Sequence, residues 1–216
     1  MSTELISQRY AGLDLWPTRD AVQAMLEGQL AAAAAVQSQA QAIAAAAEAA
    51  ADRLRGDAGR LVYIGAGTSG RLAVQDGVEL GPTYDWPEDR TLYLLAGGLD
   101  AMLTGVEGAE DDEVAAQDEI GRAGITAHDV AIGVAASGRT PYTLAALRAA
   151  RAAGMVSQIT GSDPAAAEAA LERSGGRIKP ACLIALGAAP DQARQLLDRA
   201  GGNLRDALSA LRRQQG

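Results

Sequence analysis

The feature that most constrains the fold is an apolar run that ends in a glycine- and hydroxyl-rich turn, at residues 61–71. Leu61–Gly65 has the composition of a buried β-strand, the turn reads GAGTSG, and helix-compatible sequence follows at Leu72. A parallel strand leading into an anion-binding helix N-terminus has this form, because glycines let backbone N–H groups approach an anion closely. The segment therefore predicts a phosphate-sized binding loop.

A second segment repeats this pattern. Residues 130–136 form an apolar run, and the string SGRT at 137–140 then leads into helical sequence. Two strand-to-loop anion sites in one domain favour a phosphorylated small molecule as the ligand. The first turn also matches G-x-G-x-x-G, the dinucleotide fingerprint, but the acidic residue expected about twenty positions later comes late, at Asp100. A sugar phosphate is therefore favoured over NAD, and an NAD-binding domain stays the alternative.

Composition excludes several classes of protein. A chain of 216 residues that is 48% hydrophobic can form a medium-sized domain and a small one. The net charge of -8, without a basic cluster, argues against nucleic-acid binding. The single cysteine, Cys182, excludes an internal disulfide and is expected to be a core residue rather than a reactive thiol. We expect a cytoplasmic protein, because no signal peptide is visible and polar residues interrupt the alanine-rich segment 31–51.

The pattern along the chain predicts three regions: an N-terminal helical segment (1–58), an α/β domain (59–156) and a C-terminal helical module (157–216). One or two packed helices are expected in 18–55, anchored by scattered apolar residues. In the α/β domain the predicted strands are 60–65, 91–96 and 129–135, and the predicted helices are 70–80, 100–122 and 140–153. This alternation predicts right-handed crossovers and a parallel sheet.

The last region contains an internal repeat. Residues 165–182 align with 191–208, so that Gly175-Gly176 falls on Gly201-Gly202. Each copy has the pattern of a helix, a Gly-Gly C-cap and a second helix, and Asp163 and Pro190 are suitable starting residues. We favour a role in packing or dimerisation over a separate binding function.

Two glutamates are candidates for acid–base chemistry. Glu79 stands at a predicted helix end before LGPTY, and Glu110 belongs to the acidic run 107–113. An acidic run is most often a solvated helix face, but crowded carboxylates can raise one another's pKa and suit one of them to proton transfer. His128 has no metal-ligand companion, so a structural or solvent role is expected. Arg71 and Arg139 could each contact phosphate or pair with a helix carboxylate.

Several strings together carry a family resemblance: GAGTSGRL (65–72), ELGPTY (79–84), AGG (96–98), VEGAED (106–111) and AASGRTPY (135–142). In this order they resemble the N-acetylmuramic acid 6-phosphate etherases, which carry a sugar isomerase (SIS) domain. Thr3-Glu4 with Leu13-Asp14 and the Gly-Gly hairpins resemble the ends of that family. The resemblance implies an α/β fold with an SIS-type (flavodoxin-like) parallel sheet flanked by helices, followed by a UBA-like helical module.

The resemblance also implies an activity. These etherases cleave the D-lactyl ether of their substrate to N-acetylglucosamine 6-phosphate and D-lactate in cell-wall recycling, as homodimers without a metal or cofactor. By similarity, Glu79 is the proton donor and Glu110 the second catalytic glutamate. The implied substrate-binding residues are Gly67, Thr68, Ser69, Ser137, Gly138, Arg139 and Thr140.

The sequence departs from the family after Gly154. There the family continues with two further strands and a substrate-binding loop, whereas residues 155–161 lead directly into the C-terminal helices. A truncated SIS domain, lacking its second half, is therefore predicted. Its open sheet edge calls for a partner subunit, and we expect etherase activity to be reduced or absent. The alternative is a non-catalytic SIS-type protein that binds an amino-sugar phosphate.

Overall fold

The computed structural model describes residues 7–215, so Thr3 and Glu4 of the N-terminal resemblance lie outside the described residues. The chain forms two compact units that meet in sequence between Arg55 and Gly56. The three predicted regions, with boundaries after residues 58 and 156, stay a prediction.

The first unit consists of two helices, α1 (Thr18–Gln37) and α2 (Ala40–Leu54), preceded by two short 3-10 turns. Ala24 is the one buried residue of these helices, whereas Leu26 is 55% and Leu30 72% exposed. The prediction of helices is confirmed, but the prediction that their apolar residues are packed is wrong. Alanine forms helix by intrinsic propensity, so the helices do not require a buried face. Within residues 7–215, no helix is long and apolar enough to cross a membrane.

The second unit contains a parallel sheet of three strands, β1 (Leu61–Gly65), β2 (Thr91–Leu95) and β3 (Val130–Val134). Their order is β2-β1-β3, with β1 in the centre. Val62 and Ile64 of β1 are fully buried, but Ile132 of β3 is 36% exposed. The predicted α/β class with a parallel sheet is confirmed, and β3 forms an edge on which the described residues place no further strand.

Helices connect and cover the strands: α3 (Gly67–Val78), α4 (Leu80–Tyr84), α5 (Glu113–Arg122) and α6 (Pro141–Thr160). The single helix predicted over 100–122 is wrong, because 3-10 turns at Leu99–Met102 and Ala109–Asp111 precede α5. Gly108 causes one of these breaks, since its φ of 75° is left-handed. Conversely, α6 continues to Thr160, past the predicted end at 153.

The C-terminal region folds into four helices: α7 (Pro164–Ser174), α8 (Ile178–Ala185), α9 (Pro190–Arg199) and α10 (Leu204–Gln215). The repeat is visible in the backbone, because the N–H of Gly176 donates to the Leu171 carbonyl and that of Gly202 to the Leu197 carbonyl. Both are the long hydrogen bond of a Schellman cap. Cys182 lies in the core of this module, where burial raises the pKa of its thiol to about 11.

One helix joins two hydrophobic cores. Tyr142, Ala146 and Ala150 of α6 belong to the core beside the sheet, whereas Val156 belongs to the core of the C-terminal helices. Residues spaced by three or four lie on one face of a helix, so the buried positions of α6 form a continuous stripe. The sheet and the C-terminal helices therefore both pack against the same helix, α6.

A buried ion pair that the sequence analysis did not anticipate ties β1 to β3. The Arg60 guanidinium lies 2.8 Å from the Asp129 carboxylate, whose side chain is fully buried. Burial alone raises the pKa of Asp129, but hydrogen bonds from Arg60 and from the Thr126 N–H outweigh it and lower that pKa. The pair fixes the amino ends of two neighbouring strands.

Candidate functional site

The two predicted phosphate loops meet at one edge of the sheet. β1 and β3 are parallel neighbours, so the loops that follow them leave from the same carboxyl edge. The Ser69 hydroxyl accepts a hydrogen bond from the Ala136 backbone N–H at 3.2 Å. The structure therefore joins the two loops directly.

The first loop is built around a close approach of strand and helix. A Cβ on Gly65 would lie 2.6 Å from the Cα of Gly70, a separation that leaves room for glycine alone. α3 begins at Gly67, with a φ of 53°, three residues before the start predicted from sequence. Gly67, Thr68 and Ser69 thus form the first turn of α3, where backbone N–H groups lack helical acceptors.

The second loop presents a similar helix start. Gly138 has a left-handed φ of 64°, and the Ser137 hydroxyl accepts a hydrogen bond from the Arg139 N–H at 3.1 Å. Thr140 is the N-cap of α6, and its hydroxyl makes no capping hydrogen bond. The N-termini of α3 and α6 both face this edge, and their partial positive charges favour an anion there.

The two arginines of the loops differ. The Arg71 guanidinium donates to the Ala101 carbonyl at 2.8 Å. Arg71 therefore contacts the segment after β2 instead of pairing with a helix carboxylate. Arg139 is exposed, and it belongs to no ion pair among residues 7–215. Arg139 is therefore the cation of the two that is available to a ligand.

Glu110 lies in the 3-10 turn Ala109–Asp111, which follows β2 in the chain. Its 3-10 turn contacts α6, and the neighbouring Ala109 packs against the core. The Glu110 side chain is exposed. Because α6 starts at Pro141, directly after the second loop, the turn that carries Glu110 contacts the helix that follows this loop.

Glu79 lies elsewhere. It follows Val78, the last residue of α3, and is exposed. A helix of 12 residues is about 18 Å long, and α3 runs back from the carboxyl edge of the sheet to the amino edge. Within one chain, Glu79 and the Thr68-Ser69 turn are thus at opposite ends of α3.

Sequence reasoning missed Thr143, the third residue of α6. Its side chain is 3% exposed, and within the described part of the chain its hydroxyl has no hydrogen-bond partner. The sequence signal that could have indicated Thr143 is a hydroxyl residue in the first turn of a helix that follows a predicted phosphate loop.

The hydroxyl of Tyr142, the residue before Thr143, donates to Glu119, and burial together with this carboxylate raises the pKa of Tyr142. This contact fixes α6 against α5.

The sequence matches known proteins over this part of the fold. The family model described as "Glucokinase regulatory protein N-terminal SIS domain" matches residues 39–151, which include all three strands and both loops. Three curated relatives are N-acetylmuramic acid 6-phosphate etherases. Identity is 47% over 164 residues for Deinococcus radiodurans, 42% over 154 for Geobacillus thermodenitrificans and 43% over 155 for Streptomyces avermitilis.

These alignments cover 76%, 71% and 71% of this chain but 53%, 52% and 49% of the respective relatives. The chain thus spans about half the length of the curated relatives it matches. The resemblance stated from the motifs is confirmed at the level of similarity, since 40–49% of aligned residues are identical. With the family model matching more than half of its residues, the chain belongs to the SIS-domain family represented by the N-terminal SIS domain of glucokinase regulatory protein.

Proposed function

We propose that this chain supplies the loops of an etherase that acts on N-acetylmuramic acid 6-phosphate, releasing D-lactate and leaving N-acetylglucosamine 6-phosphate. The observation that carries the proposal is the Ser69–Ala136 hydrogen bond, which joins the two helix-start loops that we propose bind the phosphorylated sugar. Relatives that bear the etherase name align with this same region. A cytoplasmic location in cell-wall recycling is part of the proposal.

In this proposal the two loops bind different parts of the substrate. The amides and hydroxyls of 137–140 bind the 6-phosphate, together with the exposed guanidinium of Arg139. The first turn of α3, Gly67 to Ser69, contacts the sugar. The two helix N-termini offset the phosphate charge without a metal ion.

The reaction requires one base and one acid. Opening of the sugar ring gives an aldehyde at C1, which acidifies the proton on C2. A carboxylate, assigned to Glu110, removes this proton while the C3–O bond breaks. The electron pair of the broken C3–O bond goes to the ether oxygen. This oxygen takes a proton from the acid, assigned to Glu79, and leaves as lactate. Water then adds across the C2–C3 double bond.

The position of Glu79 supports a homodimer as part of this proposal. Because α3 separates Glu79 from the loops of its own chain, the proton donor reaches the substrate from a second copy. The exposed edge at β3 also favours a covering subunit, since strand edges with apolar residues such as Ile132 promote association.

Lactate release tests the activity. The chain is incubated with N-acetylmuramic acid 6-phosphate, and D-lactate is measured for the wild type, Glu110→Gln and Glu107→Gln. Glu107 is an exposed carboxylate of the same acidic run and serves as the matched control. We expect Glu110→Gln to reduce the rate by at least about a hundredfold and Glu107→Gln to retain it. Equal rates in both variants would remove Glu110 from the mechanism.

A mixing experiment tests the origin of Glu79. Glu79→Gln and Ser137→Ala homodimers, each expected to be impaired, are dissociated together and reassembled. If Glu79 acts across the dimer, one site of each mixed dimer contains both native residues, and lactate release recovers. If Glu79 acts within its own chain, every site carries one substitution and no recovery is seen.

The second candidate is a non-catalytic protein that binds an amino-sugar phosphate. It is favoured by the distance of Glu79 from the loops and by the half-length coverage of the relatives. Saturable binding of N-acetylglucosamine 6-phosphate, lost in Ser137→Ala, with no lactate from the etherase substrate, would establish this function instead.

A further inference from the structure

A small recess in the C-terminal helices is lined by three arginines. Arg173 comes from α7, Arg177 from the turn between α7 and α8, and Arg194 from α9, around a space of about 180 Å³. Pro180 and Ile184 provide an apolar wall. In a chain with a net charge of -8, this is a local reversal of charge.

Two of these guanidinium groups have no acidic partner within residues 7–215. Arg194 pairs with Asp191 one turn before it, but among residues 7–215 neither Arg173 nor Arg177 forms an ion pair. The Nε of Arg177 donates to the Ser174 carbonyl at 3.0 Å. This bond orients the Arg177 side chain while its terminal N–H groups remain available.

The internal repeat shows that Arg177 is an unusual choice at its position. The equivalent residue in the second hairpin is Asn203, whose side chain accepts a hydrogen bond from the Arg205 N–H at 3.0 Å and caps α10. Arg177 is the N-cap of α8 and makes no side-chain capping bond. Asparagine is a strong N-cap and arginine is not, so this hairpin has a cation where its duplicate has a cap.

We propose that this arginine-lined recess binds a phosphate-type oxyanion. Planar guanidinium groups donate pairs of parallel hydrogen bonds to phosphate oxygens. Arg173 and Arg177 can each do so here, and Arg194 lies beside them with its charge shared with Asp191. The recess is built from α7, α8 and α9, whereas the loops of the proposed etherase site follow β1 and β3. Binding here is independent of the proposed function.

The test follows backbone amides of the full chain by NMR during titration with inorganic phosphate at constant ionic strength. We expect saturable shifts at residues 173–178. Arg173→Gln weakens this binding by about tenfold or more, because a charge-assisted hydrogen bond is lost. Arg212→Gln, which removes an exposed arginine of α10, leaves it unchanged.

Arg177→Asn is the sharpest variant, because it copies Asn203 of the second hairpin. It supplies a cap to α8, so the melting temperature is expected to hold or rise while phosphate shifts at 173–178 disappear. A melting temperature that holds excludes misfolding as the cause. Shifts that persist in this variant, that never saturate, or that chloride reproduces equally overturn the proposal.

The source of the anion is resolved with a phosphate ester. N-acetylglucosamine 6-phosphate that binds residues 173–178 more tightly than inorganic phosphate identifies a phosphorylated metabolite. Equal affinities identify free phosphate. Because the shifts are assigned to residues, binding at the 137–140 loop is distinguished from binding at the recess.

Discussion

Two helices of equal length show how differently one kind of sequence can be used. α1 and α6 each have 20 residues and are rich in alanine, yet α1 buries Ala24 alone. α6 buries a stripe at Tyr142, Thr143, Ala145, Ala146, Ala150, Ala153 and Val156. Alanine drives helix formation in both, but only the small residues of α6 lie on one face against a sheet and helices. Helix propensity and packing are therefore separate properties.

The strongest test of this contrast places a charge on each helix. Ala146→Glu buries an unpaired carboxylate in the core and should cost more than about 4 kcal/mol of unfolding free energy, enough to unfold the second unit. Ala33→Glu on exposed α1 should change stability by less than about 0.5 kcal/mol. Urea unfolding followed by circular dichroism measures both. Similar losses would contradict the contrast.

The same comparison applies to ion pairs. Asp129→Asn leaves Arg60 without its buried partner and should cost about 3 kcal/mol. Asp52→Asn removes an exposed pair between Asp52 of α2 and Arg55, the residue that follows α2, and we expect no measurable change. Thermal melting of both variants checks this, and an equal effect would mean that burial does not set the strength of the pair.

Acid should act on the second unit through Asp129. Its folded-state pKa is lowered, so its contribution is present above the pKa of the unfolded chain, near 4, and is lost as pH falls through the folded pKa. Unfolding free energy measured by urea titration should therefore fall below about pH 4. In Asp129→Asn this fall should be smaller, whereas an unchanged profile in that variant would assign it to other carboxylates.

The smallest expected effect is the difference in stability between glycine-to-alanine substitutions in α1 and in α6. A Cβ on Gly28 of α1 meets nothing within 4 Å, so Gly28→Ala should stabilise the chain by about 0.5–1 kcal/mol. A Cβ on Gly154 of α6 would lie 3.4 Å from the Thr126 carbonyl oxygen, and Gly154→Ala should gain less. Hydrogen exchange of the two helices measures the stability gained by each variant. An equal gain would show that α6 has space for a methyl group at position 154.

Local sequence predicts the strands well, because each apolar run ends in its own turn residues. All three strands lie within one residue of their predicted ends, and the Gly-Gly caps fall where the repeat places them. The position of Glu79 could not be predicted in this way. It depends on the direction of α3 relative to β1, a property of the fold that spacing along the chain does not contain.

Long-range contacts were also beyond local reasoning. Arg60 and Asp129 are 69 residues apart, and nothing near either residue indicates the other. The exchange of Asn203 for Arg177 between the two hairpins is visible in the repeat, but its meaning depends on the recess that α7, α8 and α9 form. Conversely, the scattered apolar residues of α1 predict packing, yet Leu26 and Leu30 are exposed.

Because α6 belongs to both hydrophobic cores, it connects the second loop to the C-terminal helices. Its first turn follows the Ser137–Thr140 loop, and its last turns lie in the C-terminal core through Val156. The predicted anion loop is thus connected to the C-terminal core through α6. We therefore expect substitutions that loosen the packing around Val156 to change the geometry of this loop.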